Sequence, residues 1–423
     1  MGFFQQDVET LSQDELVKLQ NERLPQAIRR AYTHNKVYQE KMRTNGITPD
    51  DIRSIEDLKH LPFMDKRDFR THYPLGMCCV DRSAIREIHM SSGSTGTPVV
   101  NAYTEQDLRQ WGECMARCYA MAGLSPGETI QITPSFGLFN GGFGFYHGAT
   151  QRGLFVVPTG AGNTPRQVKL MNDFQVKAFG SVVSYALRII EYLEEHGIDS
   201  IPSLKVGIFG AEIFSDTMRT KIEDALGIET FDIYGMTETG GVGTTGMDCP
   251  DHSGIHVWED HYILEVIHPD TGELVEDGQE GELVFTSLTR EAIPVIRFKT
   301  SDSSKILSRE KCACGRTHTR IDRVKGRLDD MLIVKGVNVY PKDIEHALME
   351  IPGVRSHYQI IVEEQDGIQD ITVNVEVEPG VTGFMVEKHL KEALGFSPKG
   401  DVFPPNSLPR SEGKQQRVVF KKK

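Results

Sequence analysis

The amino-acid sequence predicts an α/β protein: a large N-terminal α/β domain carrying a β-rich subdomain, followed by a small C-terminal α+β domain. Three observations predict it. Helix-like runs closed by Gly123, Gly153 and Gly227 alternate with short apolar stretches, Thr129–Ile132, Leu154–Val157 and Val206–Phe209, the texture of layered helices and buried strands. From Tyr262 the texture changes to paired strands, Tyr262–Ile267 and Gly281–Thr286, joined through the turn residues Pro269-Asp270-Thr271-Gly272. A further break follows Gly326, and the remaining segment has the size of a compact domain. The boundary is placed so that residues 1–328 form the large domain and 329–423 the small one.

The elements follow in order. The first hundred residues read as helical: Ser12 with Glu15 makes a capping box, and Leu16, Leu19 and Leu24 fall near one face behind it. After Gly326, Met331–Val334 reads as a strand. Pro341 suits the first turn of a helix running to Met349. Gln359–Glu364 and Ile371–Glu378 alternate as strands around the turn at Asp366-Gly367. The basic cluster Arg417–Lys423 is expected to be a frayed, solvated terminus. There are no internal repeats and no low-complexity stretch.

Composition narrows the function classes. Hydrophobic residues make up 39% of the chain and charged residues 25%, which is ordinary globular composition. A net charge of −13 argues against a broad basic face for nucleic acid. No signal-like N-terminus and no run of 18 apolar residues is present, so a cytoplasmic protein with no membrane partner is expected. Seven cysteines do not pair evenly, and in such a chain they are core thiols or metal ligands. A homodimer is the base-rate expectation for assembly.

Five segments carry chemistry. Ser91-Ser92-Gly93-Ser94-Thr95-Gly96-Thr97-Pro98 offers hydroxyls and close-approach glycines to an anion, although a run of this kind alone is more often a loop. It lacks the Gly-Lys-Ser/Thr ending of a Walker A loop. Asp232-Ile233-Tyr234-Gly235-Met236-Thr237-Glu238 sets a ring for stacking beside groups that reach phosphate and Mg²⁺, or is an ordinary strand end. The others are Arg297–Asp302, Gly326–Asp330 with Lys335–Pro341, and Leu408–Lys414.

Together, in this order, these segments closely resemble the adenylate-forming superfamily of acyl-CoA synthetases, luciferases and peptide-synthetase adenylation domains, over nearly the whole chain. Phe136–Gly142, Trp258–His261, Gly336–Pro341 and Leu408–Lys414 resemble the phenylacetate–CoA ligase branch in particular. One departure stands out. Relatives often carry a lysine beside the proline of the phosphate loop, where this chain has Thr97 and Val99.

The resemblance implies an ATP-dependent ligase acting on an aryl acid in two steps. An acyl-adenylate forms with release of pyrophosphate, and coenzyme A then takes the acyl group with release of AMP. It implies that Ser91, Ser92, Gly93, Ser94, Thr95, Gly96 and Thr97 cradle phosphates, with Thr237 on the α-phosphate and Glu238 on Mg²⁺. Asp302 would hold the ribose. Gly210, Ala211, Glu212, Asp232, Tyr234, Gly235 and Met236 would line the nucleotide, with Arg323 and Arg327 near ribose or phosphate. Phe136, Phe139, Gly141, Gly142 and Ala211 would take the aryl ring. Lys414 would be the adenylation lysine, Asp329 the hinge of a mobile C-terminal domain, and Gly336 part of the CoA channel. Two alternatives share the first step: an enzyme that loads a carrier protein, and one that adds AMP to a deazaflavin cofactor.

A metal site is also expected. Cys312-Ala313-Cys314-Gly315 is a tight pair of thiols in a turn, and Cys249, His252 and His256 stand earlier beside the same β region. Cys249, His256, Cys312 and Cys314 would hold a structural Zn²⁺. His256 is preferred because it adjoins the strand at Val257-Trp258, while His252 and His318 remain candidates.

Overall fold

A computed structural model describes residues 2–91, 97–212, 216–328, 332–334, 337–365, 368–395, 398–409 and 417–421. The first helix of any length, Gln13–His34, starts where the capping box places it: Ser12 Oγ accepts from the Glu15 amide, and the Glu15 carboxylate accepts from the Ser12 amide at 2.8 Å. Leu16, Leu24, Ala27, Ile28 and Ala31 bury the opposite face, and Leu19 lies at its margin.

Among the described residues the large sheet has nine strands. Its parallel run is Phe155–Val157, Thr129–Ile132, Ala178–Ser181, Val206–Phe209 and Glu229–Met236, side by side in that order. The central strands Ala178–Ser181 and Val206–Phe209 are short and wholly buried, and helices cover them, as parallel strands require. Chain order reverses at Thr129–Ile132: the next strand in sequence lies on one side of it and the following one on the other. Ligands of open α/β sheets bind beyond the carboxyl ends of strands at such a reversal.

The sheet then turns antiparallel two strands earlier than the sequence suggests, at Gly241–Asp248 and then Ile255–Val257. The first of these, Gly-Val-Gly-Thr-Thr-Gly-Met-Asp, carries three glycines and has little strand propensity. Packing compensates, because all eight of its residues are buried. Trp111, on the helix Glu105–Met121, packs on it and donates from its indole N–H to the Val242 carbonyl at 2.8 Å.

A second, four-stranded sheet comprises Tyr262–Ile267, Gly281–Ser287, Phe298–Ser304 and Gly326–Arg327. Beyond it, the C-terminal segment forms its own sheet with the helices Pro341–Met349 and Gly383–Leu394, around a separate core of Leu332, Ile344, Ile360, Val373, Val386 and Leu390. Here the expectation for the tail fails. Val418–Lys421 pairs in parallel with Val354–Gln365, and the partly buried Arg417 lies between Glu345, at 2.6 Å, and the Tyr358 hydroxyl. The two β-branched residues and Phe420 complete a sheet edge whose partner lies some way upstream, a pairing that no local pattern announces. No helix among the described residues is long and apolar enough to cross a membrane.

Candidate active site and metal centre

The residues expected to line a nucleotide gather at the carboxyl ends of the parallel strands. Val206–Phe209 runs into Gly210-Ala211-Glu212, and Glu229–Met236 runs into Thr237-Glu238. The chain turns back at once into Gly241–Asp248, and Gly235 lies where a Cβ would come within 2.2 Å of the Gly241 carbonyl oxygen, so only glycine allows this crossing. Thr237 and Glu238 are buried in the turn.

Asp302 reaches the same region from the second sheet. Its strand partner is Arg327, whose guanidinium lies 3.7 Å from one carboxylate oxygen. The other oxygen accepts from the Tyr234 hydroxyl at 2.6 Å. Burial pushes the Asp302 carboxyl upward, aided by the Glu238 carboxylate, while Arg327 and the Tyr234 hydroxyl pull the other way. Asp232 is pushed up to about 7 by burial and by the Asp248 carboxylate, against the pull of Arg323 and Arg219.

The candidate phosphate-binding segment is flanked by a two-stranded ribbon, Glu87–Met90 with Val100–Tyr103. Ser91 closes its base: its amide donates to the Val99 carbonyl and its Oγ accepts from the Val99 amide, both at 2.9 Å. Residues 92–96, which include Ser92, Gly93, Ser94, Thr95 and Gly96, lie outside the described residues, as do Asp329, Gly336 and Lys414. Thr97 is exposed.

The segment Phe136–Gly142 lies alongside, fastened to the ribbon where the Met90 amide donates to the Leu138 carbonyl at 2.7 Å. Gly142 fits because a Cβ there would meet the Ser135 carbonyl at 2.6 Å. Phe136 meets Phe143 and Tyr146 edge to face. Phe139 is 52% exposed, so it stands at the mouth and not inside the aromatic cluster. Beneath the cluster, Glu87 accepts from His147 at 3.1 Å and from His89 at 3.2 Å. Burial raises the Glu87 carboxyl, but these two hydrogen bonds outweigh it and bring it down to about 2.

Two sequence-selected side chains have protein partners of their own. Glu212 accepts from the Ser184 amide and hydroxyl, at 2.8 and 2.9 Å, and so caps the helix Val183–Glu195. Arg323 pairs with Asp216 at 2.7 Å and lies 3.9 Å from Asp232. Sequence reasoning also missed Asn140, whose amide donates to the Thr237 hydroxyl at 2.9 Å, and Asn101, which donates to the Thr237 carbonyl at 2.5 Å. A polar residue directly before Gly141-Gly142 was the one available signal for the first.

Away from this cleft, the ligand atoms of Cys249, His256, Cys312 and Cys314 lie within 4.8 Å of one another, and all four residues are buried. Cys249 Sγ is 3.7 Å from Cys312 Sγ, and Cys314 Sγ is 3.5 Å from His256 Nε2. A tetrahedral zinc site with bonds of about 2.3 Å to sulfur and about 2.0 Å to nitrogen has edges of roughly 3.5–3.8 Å. The donor set therefore fits that ion. His256 Nδ1 donates to the His318 carbonyl at 3.3 Å, which turns Nε2 toward the thiols. His252 is engaged instead with Arg219 and Asp248, and His318 with the backbone of Val8 and Val257. Arg316 lies against Cys314 and forms a fully buried pair with Glu9 at 2.6 Å, and so binds the N-terminal segment to the thiol turn.

Comparison with known proteins decides the family. A model described as AMP-binding enzyme matches residues 32–289, and one described as AMP-binding enzyme C-terminal domain matches residues 336–422. The chain is 38% identical to a phenylacetate-coenzyme A ligase of Thermus thermophilus, covering 99% of each chain. It is also 38% identical to that of Escherichia coli, over 97% of this chain and 96% of the relative. The chain belongs to the phenylacetate–CoA ligase family of AMP-binding enzymes.

The ligase is accordingly an AMP-forming acid–thiol ligase that uses ATP and CoA. Its structure is similar to that of a 2-hydroxyisobutyryl-CoA ligase in the postadenylation state, with a TM-score of 0.91 at 26% identity, over 99% of this chain and 91% of the other. Against the same relative in the thioesterification state the TM-score is 0.71, at 27% identity over 99% of this chain and 92% of the other.

Proposed function

We propose that the protein joins phenylacetate to coenzyme A by way of phenylacetyl-AMP. The observation that carries this reading is the seating of the aromatic segment Phe136–Gly142 directly against the Thr237-Glu238 turn, through Asn140. That contact sets an apolar, aromatic acid site beside the groups assigned to the α-phosphate. A carboxylate held in line with that phosphorus needs little further covalent help, so positioning and charge stabilisation dominate.

In this reading Ser91–Thr97 cradle the outer phosphates, Thr237 contacts the α-phosphate, and Asp302 accepts both ribose hydroxyls. Tyr234 and the backbone of Gly210–Glu212 flank the base. Glu238 would hold Mg²⁺, which when bound neutralises phosphate charge. Its nearness to Asp302 gives the region the anionic character a divalent cation requires. Lys414 supplies the cation for adenylation, and Gly336 admits the pantetheine arm after the small domain turns about Asp329. Zinc at Cys249, His256, Cys312 and Cys314 is structural, because four protein ligands leave no open position.

The test is an ATP/pyrophosphate exchange panel over phenylacetate, ring-substituted phenylacetates, benzoate, acetate and palmitate. Phenylacetate is expected to support exchange far better than acetate or palmitate. Best exchange with a long-chain acid would refute the assignment of Phe136–Gly142.

A further inference from the structure

Thr237 is held in an uneven way. Its main chain is fixed from below: Asn101 Nδ2 donates to the carbonyls of Thr237 and Glu238, at 2.5 and 3.3 Å. Asn101 is itself held by Arg290, whose guanidinium donates to Asn101 Oδ1 at 3.1 Å and to the Ala102 carbonyl at 3.0 Å. Arg290 lies 3.6 Å from Asp107, and both are almost wholly buried. Asp107 in turn accepts from the amides of Thr104, Glu291 and Ala292. With the backbone so anchored, the freedom left to Thr237 is chiefly rotation of its hydroxyl.

Asn140 acts on that rotor. Its amide nitrogen donates to Thr237 Oγ1 at 2.9 Å. A hydroxyl that accepts such a bond keeps its own proton for another partner. Asn140 is also the first residue of the helix Asn140–Arg152 and directly follows the Phe136–Phe139 segment, so its position is set by the proposed acid site.

We propose that Asn140 is a positioning residue, which aims the Thr237 proton at the nucleotide phosphate and links the acid segment to adenylation. This rests on the reading of Thr237 as a phosphate donor. The test is a double-mutant cycle in ATP/pyrophosphate exchange with phenylacetate. Asn140→Ala is expected to lower kcat for exchange about 10- to 100-fold, with the KM for the acid changed far less. Asn140→Asp, of nearly the same shape, offers an acceptor where a donor is needed and turns the Thr237 proton inward. It is expected to cost at least as much, while leaving the unfolding midpoint near that of the parent. In a Thr237→Val background, Asn140→Ala is expected to cost almost nothing further. Losses that add in the double variant, or an Asn140→Asp enzyme with the parent rate, would overturn the role of Asn140 and leave that of Thr237 standing. A Thr237→Val enzyme with the parent rate would overturn the reading of Thr237 and the proposal with it.

Discussion

Tyr234→Phe separates two jobs that one residue performs in the proposed site. The substitution keeps the ring that would flank adenine and removes only the hydroxyl that donates to Asp302 at 2.6 Å. That distance is in the range of a charge-assisted O–H to carboxylate bond. Loss of a hydrogen bond to a charged group costs about 1.5–3 kcal/mol, which corresponds to roughly 10- to 150-fold in affinity. Arg327, 3.7 Å from Asp302, is too distant to replace the bond. Burial pushes the Asp302 carboxyl upward and the Tyr234 hydroxyl opposes it, so the variant takes up a proton more readily. A protonated Asp302 no longer accepts from both ribose hydroxyls. The loss should therefore deepen as pH falls, and begin at a higher pH than in the parent enzyme. Initial rates of pyrophosphate exchange with ATP varied at several pH values measure both effects. A kcat/KM for ATP within about twofold of the parent at every pH would refute the role assigned to this pair.

Three further outcomes are expected. Protein purified without added metal should contain about one zinc ion per chain, and changing Cys312 and Cys314 to serine should lower the unfolding midpoint more than turnover; elemental analysis and calorimetry decide this, and folded, active enzyme without zinc would sink the assignment. Lys414→Ala should lower adenylation about 10²–10³-fold and largely spare transfer from supplied acyl-adenylate to CoA, so equal losses in the two half-reactions would remove that role. Arg316→Ala should destabilise by about 3–5 kcal/mol, since it strands the buried Glu9 carboxylate, and should speed hydrogen exchange in residues 2–11; Glu9→Gln with Arg316→Met should recover much of that stability, and a mild effect of the single change would refute the account.

The features legible in the sequence are those whose cause is local. The helix Pro341–Met349 and the strands Thr129–Ile132 and Val206–Phe209 begin and end where capping, proline and apolar runs place them. The thiols and the imidazole of the metal cluster were legible because few residue types can serve as its ligands. The strut beneath Thr237 was not, since Asn101, Asp107 and Arg290 are common residues that meet only through the fold. The turning of Glu212 toward Ser184 is equally invisible, because nothing in Gly210-Ala211-Glu212 distinguishes a cap for a distant helix from a nucleotide wall. Gly241–Asp248 escaped notice because tertiary burial, not propensity, makes it a strand. Arg417 reads as one more cation of a basic tail until Glu345 and Tyr358 are brought beside it.

The arrangement of the two domains has a consequence for the second step. The small domain has a closed core of its own, so it can move without exposing it. Among the described residues it meets the large domain at Met349, which packs beside the cluster containing Val183 and Leu193, at His357, whose ring lies 2.9 Å from the Glu191 carboxylate, and at Tyr340, whose ring lies against Gly326. A hinge works only if one side of it is stiff. The chain reaches the proposed hinge from the thiol turn at Cys312 and Cys314, through Arg320-Ile321 and Gly326-Arg327. Arg320 is the strand partner of His256 itself, and Arg327 is the strand partner of Asp302. A metal clasping Cys249, His256, Cys312 and Cys314 would thus fix the segment that enters the proposed hinge to the same framework that carries Asp302. An ion held there would have no part in the chemistry. It would give the moving domain a fixed base, so that the small domain can turn while the adenylate stays in register.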